Sequence, residues 1–230
     1  LEHFVREDLN LITQRAMVVL HPIKIIITNY PQNKIEYFKA PNNPEDQQEG
    51  SRDVPFCREI YIEREDFLEV PPKKFFRLTK GAEVRLMYAY YIKCNEIIKD
   101  KNNNIIELHC SYDSKSSGGW TDDGRKVKGT LHWVSVLHAL EGKINIYNKL
   151  FNKINPLEHS STDFTENINP NSLLTIHDVK LEPILEKSNK NDKYQFLRKG
   201  YFVCDKDSTK NNLIFNQIVG LRDSWAKKNK

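Results

Sequence analysis

Hydrophobic and polar residues alternate in short runs along most of this chain, which is the pattern of half-buried β-strands. The first dozen residues differ, because their apolar side chains share one face of a helix: Leu1, Phe4, Val5 and Leu9. After this helix, apolar runs bounded by turn residues predict strands at 17–20, 23–28, 59–63, 83–94, 105–112, 126–135, 143–147, 173–179, 201–204 and 214–221. Such spacing is typical of barrels or sandwiches and not of alternating β–α units.

The stretches between these strands predict few other elements. Pro31, Pro41 and Pro44 confine the chain to loops as far as Val54, because proline lacks the N–H that a strand ladder requires. Short helices are expected at 64–67 and 136–140. No segment repeats at a fixed period, which argues against a solenoid or a propeller.

The length of the chain, 230 residues, favours two compact lobes of about a hundred residues each. The composition changes at 69–72, where two prolines stand together, and again near 140–142. We therefore expect one lobe between these points, inserted into a second lobe that is made from both ends of the chain.

Composition limits the class of protein. The formal net charge is only +4, so a nucleic-acid partner would have to be bound by cations gathered on one face. Four cysteines without C-x-x-C spacing predict reduced thiols. No apolar run approaches eighteen residues and no signal peptide is evident, so we expect a soluble, cytoplasmic protein with no membrane partner. Because the chain begins at Leu1 in a helical pattern, we expect it to be a fragment of a larger protein.

The most basic segment is 123–135, where Arg125, Lys126 and Lys128 stand between two glycines. Alternation across 127–133 predicts a strand with Leu131 and Trp133 on one side and the lysine, Thr130 and His132 on the other. A rigid strand would hold these cations toward a polyanion. An ordinary solvated basic surface is the alternative interpretation of these residues.

None of the enzymatic signatures that we considered is present. The glycines form neither G-x-G-x-x-G nor a P-loop, and the serines lack a nucleophile elbow. The seven histidines are scattered, so ordinary structural histidines are favoured over a metal site. The acidic residues Glu63, Glu65 and Asp66 flank an arginine in a turn, and we interpret them as a solvated face.

Basic residues interleaved with aromatic residues recur at 73–80, 84–88 and 193–202. Proteins that read single-stranded RNA use such sets, since rings and guanidinium planes stack unpaired bases while amides and guanidinium groups bond their edges. Alternation places Arg85 and Met87 outward together. Phe196, Tyr201 and Phe202 are interpreted instead as barrel core.

Six ordered segments resemble the C-terminal anticodon-binding region of glutaminyl-tRNA synthetases. They cover residues from about 4 to 228 and comprise 15–17, 22–24, 29–30, 50–56, 124–134 and 219–227. The resemblance implies a mainly β fold of two β-barrels, with a short N-terminal helix and few other short helices. It implies a helical linker at 1–14, a proximal barrel from 15–68 plus 143–230, and a distal barrel from 69–142.

The resemblance also implies that a catalytic domain lies upstream in the same polypeptide, and that this chain supplies only tRNA recognition. The nucleotide motifs of this family are HIGH-like and KMSKS-like, and neither is present here. The parent enzyme would be a class I ligase that attaches glutamine to tRNA(Gln) with ATP and magnesium. This chain would hold no cofactor or metal, would contain no catalytic residue and would be inactive alone. Other synthetases are further possible partners.

The resemblance assigns anticodon contacts to particular residues. Arg15 and Gln195 would meet the middle base, with Arg198 close by. Arg77 would read the third base, a guanine, because a bidentate arginine is its expected partner. These assignments place two of the contacts in the segment 193–202.

The first anticodon base is expected near Arg85, with Lys74 on the same surface. Phe76 and Met87 stand where bacterial relatives carry a lysine and an arginine. The pocket is therefore expected to be less charged, with Phe76 stacking the base or packing beneath it.

Two other functions are compatible with the residues. One is the anticodon-binding region of a related glutamyl-tRNA synthetase, against which the Gly-Ser-Arg and Gly-Leu-Arg-Asp-Ser-Trp matches argue. The other is a protein–protein scaffold barrel, which would show no specific RNA binding.

Overall fold

The computed structural model describes residues 1–157 and 163–221. One α-helix, α1, spans Glu2–Ile12 at the start of the chain. The strands are β1 Gln14–Ala16, β2 Val18–Val19, β3 Pro22–Ile27, β4 Glu36–Pro41, β5 Ser51–Phe56, β6 Glu59–Glu63, β7 Glu83–Leu86, β8 Tyr91–Lys99, β9 Ile105–Tyr112, β10 Thr130–Leu131, β11 Val134–Ser135, β12 Leu140–Tyr147, β13 Leu173–Leu181, β14 Lys193–Phe196, β15 Gly200–Cys204 and β16 Leu213–Gly220. Short 3-10 helices lie at Gln47–Glu49, Arg64–Asp66, Ser117–Gly119, Phe164–Asn167 and Pro183–Lys187.

The first sheet contains seven strands in the order β10-β7-β8-β9-β3-β6-β11. The β3 strand pairs parallel to β9 and antiparallel to β6, so the sheet mixes both kinds of ladder. Alternate residues of β3, including Ile25, point into a core that also holds Phe56 and Trp133. The rings of Phe56 and Trp133 meet edge to face at 5.0 Å.

A two-stranded hairpin of β4 and β5 packs against this first core through Ala40, Val54 and Phe56. The sequence analysis was wrong to place this part of the chain in loops. Pro41 ends β4 and Pro55 lies within β5. A hairpin with two free edges tolerates proline, because the missing N–H need not face the partner strand.

The second sheet also contains seven strands, in the order β1-β14-β15-β16-β12-β13-β2. Its core holds Phe196, Phe202 and Phe215, and the first two rings stack at 4.4 Å. Phe196, Tyr201 and Phe202 are buried, which confirms their interpretation as core. With two barrel-like sheets and a short N-terminal helix, the mainly β fold is as predicted.

The segment 16–20 contributes to both cores, because its residues alternate between them. Met17 and Val19 lie in the first core, whereas Ala16, Val18 and Leu20 lie in the second. A strand buried on both faces reads as a continuous apolar run, as it does here. This segment therefore joins the two sheets into one packed unit.

Strand pairing groups the chain differently from the predicted barrel ranges. The prediction placed 15–68 with 143–230, whereas β3 and β6 pair within the sheet that contains β7, β8 and β9. The proline-rich stretch at 69–72 lies in a loop between β6 and β7, both strands of the first sheet. The chain passes from the first sheet to the second between Ser135 and Leu140.

Three local predictions were wrong. The predicted strand 83–94 is interrupted by a turn at 87–90, where Tyr88 has a φ of 66°. The predicted strand 126–135 is formed only by β10 and β11, so Lys126 and Lys128 lie in a loop. Residues 136–140 form a turn and the start of β12 instead of a helix. Of the last resembling segment, 219–227, only residues 219–221 are among those that the structure describes.

Candidate nucleic-acid interface

The parallel pairing of β1 with β14 brings Arg15 opposite Gln195. Arg15 is only 3% exposed, and its guanidinium donates to Asn10 Oδ1 at 2.8 Å and to the Thr13 carbonyl at 2.5 Å. Gln195 Nε2 donates to Tyr201 Oη at 3.2 Å, and that hydroxyl donates to Asn10 Oδ1 at 3.2 Å. The four side chains form one connected array of polar groups.

Exposure separates the two predicted members of this array. Burial lowers the pKa of Arg15 and raises the pKa of Tyr201. Gln195 is partly exposed. Gln195 is therefore the member that can present an amide to a ligand, while the Arg15 guanidinium is held by acceptors of the protein itself.

A second group is organised around Asp66, which is 0% exposed. Arg198 donates to both of its carboxylate oxygens, at 2.5 and 2.7 Å. Arg77 Nη1 lies 3.2 Å from Asp66 Oδ1 and donates to the Glu65 carbonyl at 3.1 Å. Two arginines that the sequence analysis proposed for anticodon binding thus share one buried carboxylate. Arg77, Arg198 and Lys199 line a cavity of about 470 Å³ beside it.

Glu63 is the second buried carboxylate of this region, and it also is 0% exposed. It accepts the N–H of Leu20 at 2.7 Å, and Lys199 Nζ lies 3.1 Å away. His132 lies between the two acidic groups, with Nε2 3.5 Å from Glu63 and Nδ1 accepting from Arg198 at 3.1 Å. Burial alone would raise the pKa of Glu63, but the His132 ring and the Lys199 charge lower that pKa to about 2.

The interpretation of these acidic residues as a solvated face was therefore wrong for Glu63 and Asp66. The 3-10 turn Arg64–Asp66 directs Asp66 into the interior, where Arg198 from the β14–β15 turn reaches it. Arg198 itself has a φ of 68° in that turn. Burial lowers the pKa of its guanidinium, yet the hydrogen bonds to Asp66 outweigh this and raise it.

A third group surrounds Phe76, which is 52% exposed. Lys128 Nζ lies over its ring, 5.0 Å from the centroid, which is the geometry of a cation–π contact. Phe76, Arg77 and the segment 125–129 line a cavity of about 290 Å³. Because Arg77 also lines the cavity beside Asp66, the second and third groups are continuous.

Arg125 was predicted to be one of three cations held toward a polyanion, and this was wrong. Its guanidinium donates to Glu83 at 2.9 Å, to Asp113 at 2.5 Å and to Asp123. Those hydrogen bonds raise the pKa of Arg125, and it anchors the loop that carries Lys126 and Lys128. The two lysines are exposed.

The residues predicted for the first base lie on or beside the same loop. Arg85 Nε and Nη2 donate to Thr130 Oγ1 at 3.1 and 2.9 Å. Met87 is partly buried against the first core, so its predicted outward position was wrong. Lys74 is exposed in the loop before Phe76, and it lines neither cavity described above.

Sequence reasoning missed several polar residues that organise these groups: Asn10, Glu63, Asp66, His132 and Lys199. His132 carried no signal, because alternation placed it on the face opposite the apolar residues Leu131 and Trp133. The acids carried none, since a turn of charged residues reads the same whether it is buried or exposed.

Another cavity lies elsewhere, with a volume of about 720 Å³, and its lining includes Lys34, Cys57, Arg58 and Leu137. None of the predicted site residues lines it. Among residues 1–157 and 163–221, no group of three or more His, Cys, Asp or Glu side chains is placed to hold a metal ion. Within the same residues, no helix has the length and apolar character needed to cross a membrane.

Comparisons with known sequences identify families and relatives that this chain resembles. Two family profiles described as tRNA synthetases class I (E and Q), anti-codon binding domain, match residues 13–113 and 130–205. A glutamine–tRNA ligase of Clostridium kluyveri is 49% identical over 226 residues, which is 98% of this chain and 40% of the relative. The ligase of Bradyrhizobium diazoefficiens is 46% identical over 99% of this chain and 40% of its own length. That of Rhodopirellula baltica is 48% identical over 99% of this chain and 38% of its own length.

Proposed function

Because this chain belongs to the anticodon-binding domain family of the class I tRNA synthetases for glutamate and glutamine, we propose that it binds the anticodon of tRNA(Gln). The chain spans about 40% of the length of the curated relatives described above. Those relatives are glutamine–tRNA ligases, which favours this proposal over a glutamyl-tRNA synthetase or a scaffold. The assignment of roles rests on one observation, that Arg77 and Arg198 share the buried carboxylate of Asp66.

Arg77 is proposed to read the third anticodon base, a guanine. Its side chain is 39% exposed and makes a single 3.2 Å contact with Asp66, whereas that of Arg198 is 26% exposed and holds both oxygens. Arg77 can therefore turn toward guanine O6 and N7 while Arg198 keeps the buried carboxylate neutralised. Arg198 thereby becomes a positioning residue, placed close to the middle base.

Gln195 is proposed to bond the edge of the middle base. The amide carries both donor and acceptor atoms, so it can recognise a base edge that a charged group would recognise less selectively. Arg15, which is buried and bonded to Asn10, orients the array from inside the protein. In this proposal Arg15 acts through its neighbours and does not itself contact the base.

The first base is proposed to lie beside Arg85, Phe76 and Lys74. Phe76 is half exposed below the Lys128 ammonium group, and an unpaired base entering there would stack on the ring and displace or join that cation. Lys74, Lys126 and Lys128 would contribute by attracting phosphates, which adds affinity without sequence information.

In the whole enzyme, we place ATP and magnesium with a catalytic domain of the same polypeptide, where glutamine is attached to the tRNA. The anticodon-binding chain supplies recognition to that reaction and has no catalytic residue of its own in this proposal. The cytoplasm is the proposed location, since translation consumes charged tRNA there. Other synthetases are further proposed partners of the whole enzyme.

Substitution of Arg77 tests the proposed function. In Arg77→Ala, binding of tRNA(Gln) should weaken by about 1–3 kcal/mol, because the bidentate contact to guanine is lost. A tRNA(Gln) with adenine as the third anticodon base should bind weakly, and with equal affinity, to the unsubstituted chain and to the variant. Equilibrium filter binding at fixed salt concentration measures both affinities.

Lys126→Ala and Lys128→Ala are the matched controls, because both residues are cations near the same cavity. Each substitution should weaken the binding of the two RNAs equally. It should also lower the slope of affinity against salt concentration by the amount expected for about one phosphate contact. If Arg77→Ala also weakens both RNAs alike, the assignment of Arg77 to base recognition is wrong. Absence of anticodon-dependent binding by the parent chain would reject the proposed function.

A further inference from the structure

Trp120 is an exposed aromatic residue beside the proposed first-base site. It is 75% exposed, and among the described residues its indole has neither a ring partner nor a hydrogen-bond acceptor. A tryptophan in this state leaves a large apolar surface in water, which is typical of residues that bind at interfaces. The sequence analysis assigned no role to it.

The backbone that carries Trp120 is held in place. Ser116, fully buried, accepts the Tyr91 N–H at 2.8 Å and donates to the Asp113 carbonyl at 2.6 Å. Arg125 ties the other end of the loop to Asp113 and to Glu83 of β7. The loop is therefore fixed to Tyr91 of β8 on one side of Trp120 and to Glu83 of β7 on the other.

Gly119 brings this loop into direct contact with Arg85. Its φ is 83°, and a Cβ atom there would lie 2.5 Å from Arg85 Cδ, so the backbone packs against the arginine side chain. Trp120 follows at the next position. The backbone of Trp120 thus directly follows a residue that packs against Arg85, the residue proposed to meet the first anticodon base.

The surroundings favour RNA as the occupant. Phe76 and Lys128 lie on the other side of the same loop, where Gly129 packs closely against the Phe76 carbonyl. Two exposed rings, an arginine and two exposed lysines together match the composition of sites that stack unpaired bases and attract their phosphates.

We propose that Trp120 is a stacking platform for the first anticodon base, on the opposite side of the Arg85 region from Phe76. This inference rests on the proposed function, and it adds a residue that neither the resemblance nor the family assignment identifies. An indole ring accepts any base on its face, so Trp120 would add affinity while Arg85 provides discrimination at that position.

Tryptophan fluorescence and binding together test the inference. The chain has three tryptophans, of which Trp133 is buried with its indole N–H bonded to the Met87 carbonyl at 2.9 Å. Trp225 lies outside the described residues, so all measurements use a Trp225→Phe background. In that background, saturation with a tRNA(Gln) anticodon stem-loop should quench the emission of Trp120.

Two substitutions separate stacking from loop structure. Trp120→Ala should weaken binding about 5- to 100-fold, the range expected when one base loses an aromatic partner, whereas Trp120→Phe should retain most of the affinity and lose the quenching. With a stem-loop that is abasic at the first anticodon position, Trp120→Ala should bind as tightly as the background chain.

The inference is overturned if Trp120→Ala binds the intact stem-loop as tightly as the background chain, or if saturation leaves the fluorescence unchanged. An equal loss with the abasic stem-loop would also overturn it, since the effect would then come from the loop and not from stacking. Arg77→Ala in the same assay monitors the proposed function separately, because it should lose affinity whatever the role of Trp120.

Discussion

Asp66 is the residue on which the proposed recognition depends most. It is fully buried, and the charges that neutralise it belong to Arg77 and Arg198, two residues more than a hundred positions apart. Two hydrogen bonds to the Asp66 carboxylate fix the plane of the Arg198 guanidinium, whereas Arg77 is tethered to the same carboxylate by a single ion-pair contact. The arginines are thus held near their proposed positions before RNA binds.

Replacement of Asp66 by asparagine should destabilise the fold by about 3 kcal/mol or more, because the positive charge of Arg198 is left partly buried without its counterion. Asp123→Asn is the matched control: this exposed residue pairs with Arg125, which keeps two other carboxylates, so the loss of stability should be much smaller than at Asp66. Urea unfolding measures both. Equal losses would show that the Asp66 pairs are no stronger than surface ion pairs.

Residue types in the sequence indicated which side chains could bind RNA, but not which were accessible. Arg15 and Gln195 were proposed together, and the structure pairs their strands while burying only the arginine. Accessibility depends on the β1–β14 pairing, which joins Arg15 to Gln195, 180 positions further along the chain, and no local pattern encodes it. For the same reason, Glu63 and Asp66 appeared to be ordinary surface acids in the sequence.

At the scale of elements, the loop 113–129 organises the first-base surface. Alternation across 126–135 resembles a strand, yet Arg125 is held by Glu83 and Asp113, and the ladder begins only at Thr130. Periodicity therefore predicted the burial of Leu131 and Trp133 but neither the backbone hydrogen bonds of this run nor the burial of His132. The strand at 105–112 was predicted with the bounds that the structure shows, because polar turn residues on both sides limit where the strand begins and ends.

Gly129→Ala tests how closely this loop packs. A Cβ atom at Gly129 would collide with the Phe76 carbonyl, so the substitution should cost about 1–3 kcal/mol and weaken RNA binding by moving Phe76. Gly124→Ala meets no neighbouring atom but has a φ of 68°, and should cost only about 1 kcal/mol through backbone strain, with RNA binding unchanged. Thermal unfolding and filter binding compare the two. A weaker binding in Gly124→Ala than in Gly129→Ala would contradict this packing.

At the scale of the molecule, buried ion pairs and the segment 16–20 join the two sheets. Glu182, at the end of β13, accepts the Met17 N–H at 2.8 Å and pairs with Arg52 of β5. Lys199, in the β14–β15 turn, pairs with Glu63 of β6. Two lobes were predicted from length, composition and the resemblance, but the strands that pair within each sheet follow from long-range contacts such as these, which no local pattern encodes.

The buried Glu63 predicts how stability depends on pH. Its pKa is about 2 in the folded protein and about 4.3 in an unfolded chain, so the unfolded state takes up the proton first as the pH falls. The stabilisation, about 3 kcal/mol, is complete above pH about 4.3 and is lost toward pH about 2. Glu63→Gln should therefore show a shallower decline of unfolding free energy across this range, measured by urea titrations at several pH values. An unchanged slope would contradict the low pKa.

The central claim is that the anticodon lies across the surface formed by the Gln195 array, the Asp66 group and the loop 113–129. Photocrosslinking from 4-thiouridine at the middle anticodon base of tRNA(Gln) tests it most directly. The crosslink should fall within 193–201, the segment that contains Gln195 and Arg198, and Gln195→Ala should reduce its yield. A crosslink at the lining of the 720 Å³ cavity, near Arg58 or Leu137, would contradict the account.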